Sequence, residues 1–204
     1  PLAVGSEQVH SVAATAVALA VVTGTLFGIL AGASRDWAAR VWVGLFDVLL
    51  AFPALLLALL VVAVLGAGLP ALAIATGIAS IPAYARLVRA VTLDLRTTSY
   101  VDASRALGAG EPQILLRHIL PGVRKPVLAL ASLDLGRTII SVAALGFLGL
   151  GAPPPRAEWG VMLFEGRGYL ATAPWASAFP GLAITLTVLG VTLLGDALTD
   201  RRQT

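Results

Sequence analysis

Long apolar runs alternate with short polar islands along the chain, and the runs set its architecture. Val9 to Ala33 gives about 25 consecutive uncharged positions, enough to cross ~30 Å of hydrocarbon with some tilt. Further runs extend from about Val41 to Leu65, Ala71 to Val88, Val127 to Leu150 and Ala178 to Leu198. Five such spans predict an all-α, polytopic transmembrane helical bundle with its two ends on opposite sides of the membrane. Pro53 and Pro82 predict kinks in the second and third spans, because proline removes a backbone hydrogen bond. Gly66 to Pro70 reads as a tight, uncharged turn between them.

A few positions inside the runs break the pattern. Gly24, Gly28 and Gly32 recur every fourth residue, either as a stripe along which another helix approaches closely or as scatter in an Ala/Val/Gly-rich span. Asp47 should face protein or water, with a structural hydrogen bond near the interface ahead of any functional role. Asp134 and Arg137 are neighbours on one helix face. With Ser132, Thr138 and Ser141 they either line an aqueous path or mark a helix that enters the membrane late.

The polar islands carry the rest of the information. Ser34 to Arg40 is a short basic turn, and the third span continues into a basic helix end at Arg86, Arg89 and Arg96. Tyr100 to Pro121 is the one long polar stretch. Ser99 and Asp102 have the spacing of a capping box, and Ala103, Ala106 and Leu107 share a face at helical spacing. Gly108 and Gly110 end that helix, and Pro112 suits the first turn of a second one from about Glu111 to His118. Ile114, Leu115, His118 and Ile119 share a face there, Arg105 and Arg117 supply charge, and Pro121 closes the unit. The expected product is a compact helix-turn-helix knob: a DNA reader, a plain connector or a dock for a partner. Supporting helices this apolar argue against DNA.

From Gly151 to Ala176 the composition changes again. APPPRAEW predicts an extended entry, and Trp159 to Leu170 a short re-entrant or interfacial helix, with Trp159, Tyr169 and Trp175 at the headgroup level. The last span ends at Asp196, Asp200, Arg201 and Arg202.

Composition confirms the class: 58% hydrophobic and 12% charged residues, against about a quarter charged in a soluble domain. Without cysteine, disulfides, cysteine-ligated metals and thiol catalysis are excluded. Pro1 is no initiator and no basic segment precedes the first run, so the chain is expected to be N-terminally incomplete. Of 14 Lys and Arg, eleven fall on the side that carries Ser34 to Arg40, the Arg86 to Pro126 region and the tail. Arg156 and Arg167 fall opposite, and Arg137 lies within a span. The positive-inside rule therefore puts the knob in the cytoplasm and Pro1 outside.

The Tyr100 to Pro121 stretch resembles the EAA loop of ABC importer permeases. Asp102, Ala103, Ser104, Gly108, Leu120 and Pro121 sit at that pattern's spacings, with Asp for Glu and Ser for the second Ala. The wider chain resembles the peptide/nickel, DppC/OppC-like branch. DVLLAFPALLLAL from Asp47, ALGFLGLGAPPP from Ala144, WGVMLFEGRGYL from Trp159 and FPGLAITLTVLGVTLLGDAL from Phe179 carry the likeness.

The resemblance implies a single transmembrane permease domain over 1–204, with the coupling loop at 99–121, an outer segment at 151–176 and a sixth span ahead of the first. It implies half of a translocation pathway for peptides, or alternatively for nickel or a metal chelate, in a bacterial or archaeal plasma membrane. Coupling residues would be Tyr100, Asp102, Ala103, Ser104, Arg105, Ala106, Leu107, Gly108, Ala109, Glu111, Leu120 and Pro121. Implied partners are a second, homologous permease, cytoplasmic ATPase subunits, an extracytoplasmic substrate-binding protein and the lipid bilayer, with no nucleic acid. No cofactor is expected on this chain, ATP and Mg residing on the ATPases, and the sequence has no phosphate-binding glycine motif. A membrane-embedded enzyme is disfavoured by having His10 and His118 as the only histidines, with no H-E-x-x-H. A channel or secondary transporter is disfavoured by the lack of an inverted repeat and would leave the knob without a task.

Overall fold

A computed structural model describes residues 2–34, 36–151 and 157–200. The described residues contain helices and no strands. In chain order the helices are α1 (Leu2–Ala33), α2 (Asp36–Ala51), α3 (Ala54–Leu65), α4 (Leu69–Arg96), α5 (Ser99–Ala106), α6 (Glu111–Ile114), α7 (Leu120–Leu145), α8 (Trp159–Gly166) and α9 (Trp175–Asp200). Pro1, Arg35, the stretch 152–156 with its prolines and Arg156, and the tail arginines Arg201 and Arg202 lie outside the described residues.

Among the described residues four helical stretches are long and apolar enough to cross a membrane: Gly5–Ala33, Leu69–Arg96, Glu111–Leu150 and Trp175–Gly195. The pair Trp37–Ala51 and Ala54–Leu65 makes a fifth if counted as one broken span. The expected kink at Pro53 is thus a full break. Pro53 is extended, at φ −55° and ψ 126°, and its carbonyl accepts from Leu56 and Leu57 at 2.9 and 3.1 Å. A proline with no N–H to give and a carbonyl free to accept starts a helix better than it continues one. Pro82, by contrast, lies inside an uninterrupted α4.

The chain forms two compact units. One comprises Pro1–Leu19, Pro53–Ala79 and Ala131–Thr204; the other comprises Ala20–Phe52 and Ser80–Leu130. In the first, Val12, Val62, Leu72, Val142 and Leu145 make one apolar core, and Val9, Ala13, Ile139 and Trp159 make another against α9. Trp159 is buried, edge-on to His10 with ring centroids 6.0 Å apart. Tyr169 and Trp175 do stay exposed.

In the second unit the glycine stripe of α1 lies against α4. Gly24 faces Tyr84, Gly28 faces Ala85 and Val88, and Gly32 faces Thr92, each too close to leave room for a side chain. Small residues let the two backbones approach, which is how helices gain contact in a medium as apolar as themselves. Ala31, Phe46 and Ala85 form the core beside them, with Phe27 and Trp42 stacked at its edge. Large apolar side chains of α2, α3 and α9 point outward in number, as they do in a lipid-facing surface and not in a soluble one.

Candidate functional site

The polar knob lies wholly in the second unit and begins where α4 ends. Ser99 and Asp102 do not form the expected capping box. Thr98 occupies the cap position in extended conformation, and its hydroxyl donates to the Leu95 carbonyl at 2.6 Å. Ser99 is already the first helical residue, so Asp102 turns instead to Arg105, at 2.9 Å.

The end of α5 follows the expectation closely. The Ala109 N–H donates to the Ser104 carbonyl at 3.0 Å and the Gly108 N–H to the Arg105 carbonyl at 2.9 Å, the paired bonds of a Schellman motif. That motif needs a left-handed residue, and Gly108 has φ +88°. A Cβ there would meet nothing within 4 Å, so the requirement is purely conformational.

Beyond Gly110 the chain re-enters helix at α6 with Pro112 in its first turn. Pro121 does not close the unit. A π-helical turn, Leu115–Ile119, leads without interruption into α7, and the Leu120 N–H reaches back five residues to the Leu115 carbonyl. The wider turn relieves the clash that a proline ring makes with the carbonyl four residues before it, so Pro121 is carried inside the helix.

Side chains then lock the two short helices together. Arg96, with its side chain only 13% exposed, pairs with Glu111 at 2.9 Å, and Arg105 approaches the same carboxylate at 3.6 Å. Arg105 also donates to the Arg96 carbonyl at 3.2 Å. The Ser104 hydroxyl donates to the Tyr100 carbonyl at 2.9 Å and lies 3.1 Å from His118 Nε2. Tyr100 and His118 stack at a tilt with centroids 5.6 Å apart. Underneath, Val101, Ile114 and Ile119 are buried.

The outward face is apolar with a polar rim. Ala103 and Ala106 are exposed and Leu107 is 89% exposed at the tip. Beside it a recess of about 280 Å³ is lined by Ser104, Leu107, Gly108, Ala109, Gln113 and Arg117. Ion pairs, a stacked ring pair and an exposed leucine suit insertion into a complementary groove rather than bond-making.

The other candidates separate. Of the pathway set on α7, Arg137 is exposed, Asp134 and Ser141 are half-buried, and Thr138 is 3% exposed, so the four do not make one open stripe. The Ser141 hydroxyl donates to the Arg137 carbonyl at 3.1 Å, and Ser132 packs against Gly195 of α9. Asp47 pairs with Arg86 at 3.4 Å.

The outer segment holds one residue that sequence reasoning passed over. α8 is helical as expected, extended by a single 3-10 turn at Arg167–Tyr169, where Arg167 lies over the Phe164 ring at 3.9 Å. Its cap is Glu158, fully buried, whose carboxylate accepts from the N–H groups of Gly160 at 2.9 Å and Val161 at 3.3 Å. Gly146 and Gly151 wall it in, each so close that a Cβ would collide with the carboxylate. Burial raises the Glu158 pKa above the ordinary 4.5, partly offset by the two backbone donors. The available signal was an acid immediately before a helix-starting Trp-Gly, seven residues after a glycine-rich turn.

The model of the family described as "binding-protein-dependent transport system inner membrane component" matches residues 24–202. The chain is 48% identical over 184 residues to a glutathione transport system permease protein GsiD of Pectobacterium atrosepticum, covering 90% of this chain and 61% of that protein. It is 50% identical over 166 residues to a protein of the same name from Escherichia coli O1:K1, covering 81% and 55%. The chain thus spans roughly three-fifths of the length of the curated relatives it matches. Its fold is that of a chain in an inward-facing structure of the MetNI methionine ABC transporter, with TM-score 0.80 at 20% identity, covering 98% and 95%. A crystal structure of an amino acid ABC transporter with histidines matches with TM-score 0.70 at 18% identity, covering 100% and 94%.

Proposed function

Because the chain belongs to the family of binding-protein-dependent transport system inner membrane components, we propose that it is a permease subunit of a DppC/OppC-like importer driven by separate ATPases. It would form one side of a translocation pathway with a second permease in the plasma membrane and would catalyse no reaction itself. The observation that carries this reading is the knob: two short helices fixed by a left-handed glycine and shared ion pairs, offering an exposed apolar tip. A piece that rigid moves as a body. A push on Leu107, Ala103 and Ala106 from an ATPase groove is then passed through Arg96 to α4 and through the π-turn to α7. ATP and Mg would be held entirely by the ATPases, and an extracytoplasmic binding protein would deliver substrate to the outer face.

The cargo we assign is a short peptide, with glutathione the first to test, since relatives of about half identity are permeases of glutathione transport systems. The permease would be reconstituted in liposomes with its second permease, ATPases and binding protein, and ligand retained on the complex identified by mass spectrometry. ATP-dependent uptake of the identified peptide is the expected result. Uptake that persists without the ATPases overturns the coupling role. These 204 residues hold no cysteine, so in a complex cleared of any other cysteine Arg117→Cys is a unique label site, and its modification only from outside would overturn the orientation.

A further inference from the structure

One face of α2 and the basic end of α4 enclose a recess of about 350 Å³, lined by Ala39, Arg40, Val43, Gly44, Asp47 and Arg89. Arg86 reaches the same place through its 3.4 Å contact with Asp47. Among the described side chains three guanidiniums therefore meet one carboxylate, and that surplus is positive. The Arg89 Nε–H is buried with no acceptor among the described residues, and Arg40 has no ion-pair partner among the described side chains. An anionic oxygen entering the recess would balance the surplus charge that Arg40 and Arg89 bring to its wall.

The surroundings say what kind of oxygen. On the helical wheel of α2, Trp37, Val41, Leu45 and Val48 form an apolar stripe beginning next to Gly44, and all four are exposed. A basic recess thus borders an outward apolar track, with Trp37 positioned as an interfacial tryptophan. The arginines belong to the cation-rich side of the chain, near the end of an apolar span, and the positive-inside rule puts that side at the cytoplasmic leaflet. Guanidiniums match phosphate oxygens in pairs, and basic pockets between membrane helices on this side take anionic headgroups.

We propose that this recess binds the phosphate of an anionic phospholipid of the cytoplasmic leaflet, with Arg40 and Arg89 on the phosphate and the acyl chains along Trp37, Val41, Leu45 and Val48. Asp47 holds Arg86 back from the phosphate and sets the site's net charge. Gly44 leaves the recess open: a Cβ there would meet nothing within 4 Å.

The test is native mass spectrometry of the purified permease complex in detergent, titrated with synthetic phosphatidylglycerol or phosphatidylcholine. Phosphatidylglycerol should bind in preference. Arg40→Gln and Arg89→Gln should each weaken it about five-fold, the effect of one cation near an anionic headgroup. Gly44→Leu should weaken it with every charge intact, and Asp47→Asn should tighten it by freeing Arg86. Arg40 is exposed, so its variant reads the site without threatening the fold. Equal binding of the two lipids, or indifference to Arg40→Gln, overturns the proposal. Displacement by millimolar inorganic phosphate overturns the lipid assignment in favour of a free-anion site.

Discussion

Arg96, the last residue of α4, holds the Glu111 carboxylate at 2.9 Å across the knob and so ties the end of a membrane-length helix to the start of α6. The arginine is nearly buried while the carboxylate is half exposed, so the pair is stiff at its root and wet at its tip. Glu111→Ala should cost about 1 kcal/mol after solvent screening, since it leaves Arg96 with less to hold. Its larger effect should be several-fold weaker stimulation of ATP hydrolysis by loaded binding protein in the reconstituted complex. Full stimulation would mean that the pair does not stiffen the lever.

Gly108 can be tested without touching any contact. Valine there pays the left-handed penalty of about 1–2 kcal/mol, while asparagine tolerates that conformation at much lower cost. Gly108→Val should lose most ATP-dependent uptake and Gly108→Asn should keep most of it. Equal uptake in both variants would show that the Schellman joint is not needed for coupling.

Two glycines make an internal control for helix approach. At Gly28 a Cβ would stand 2.6 Å from Val88 Cβ and 2.7 Å from the Ala85 carbonyl, whereas at Gly44 it would meet nothing. Gly28→Ala should destabilise by about 1–3 kcal/mol through overpacking. Gly44→Ala should stabilise slightly, because alanine is the better helix former. Thermal unfolding of the two variants side by side checks both signs, and equal shifts would refute the close approach of α1 to α4.

The knob was legible because its signals are local: Gly108, Gly110 and Pro112 act on the backbone at their own positions whatever surrounds them. The expectations that failed needed geometry that spacing does not carry. Ser99 and Asp102 have capping-box spacing, but the helix begins one residue earlier, with Thr98 at the cap. Pro121 reads as a stop, yet a π-turn just before it lets the helix continue. Pro53 reads as a kink and proves a break because both flanking stretches end their hydrogen bonding there. The burial of Trp159 was not legible either, since Gly5 and His10, remote in sequence, enclose it. Glu158 was illegible for the same reason, since its burial depends on glycines of the preceding turn folding back around it.

Glu158 supplies a prediction with a pH sign. Its pKa is raised by burial, so the folded protein binds that proton more tightly than the unfolded chain does. Its contribution to stability should therefore grow as pH falls through the raised value, level off near the ordinary 4.5 and be absent at higher pH. Glu158→Gln removes the titration while keeping the shape and one acceptor, so wild type should gain in melting temperature relative to this variant between pH 7 and pH 5. Glu158→Ala orphans the buried Gly160 N–H and the part-buried Val161 N–H and should cost about 1–3 kcal/mol throughout. Gly146→Ala, whose Cβ would collide with the carboxylate, should be as damaging as the alanine at 158. If the difference between wild type and Glu158→Gln is the same at both pH values, the carboxylate is solvated and the outer helix is not capped by a buried acid.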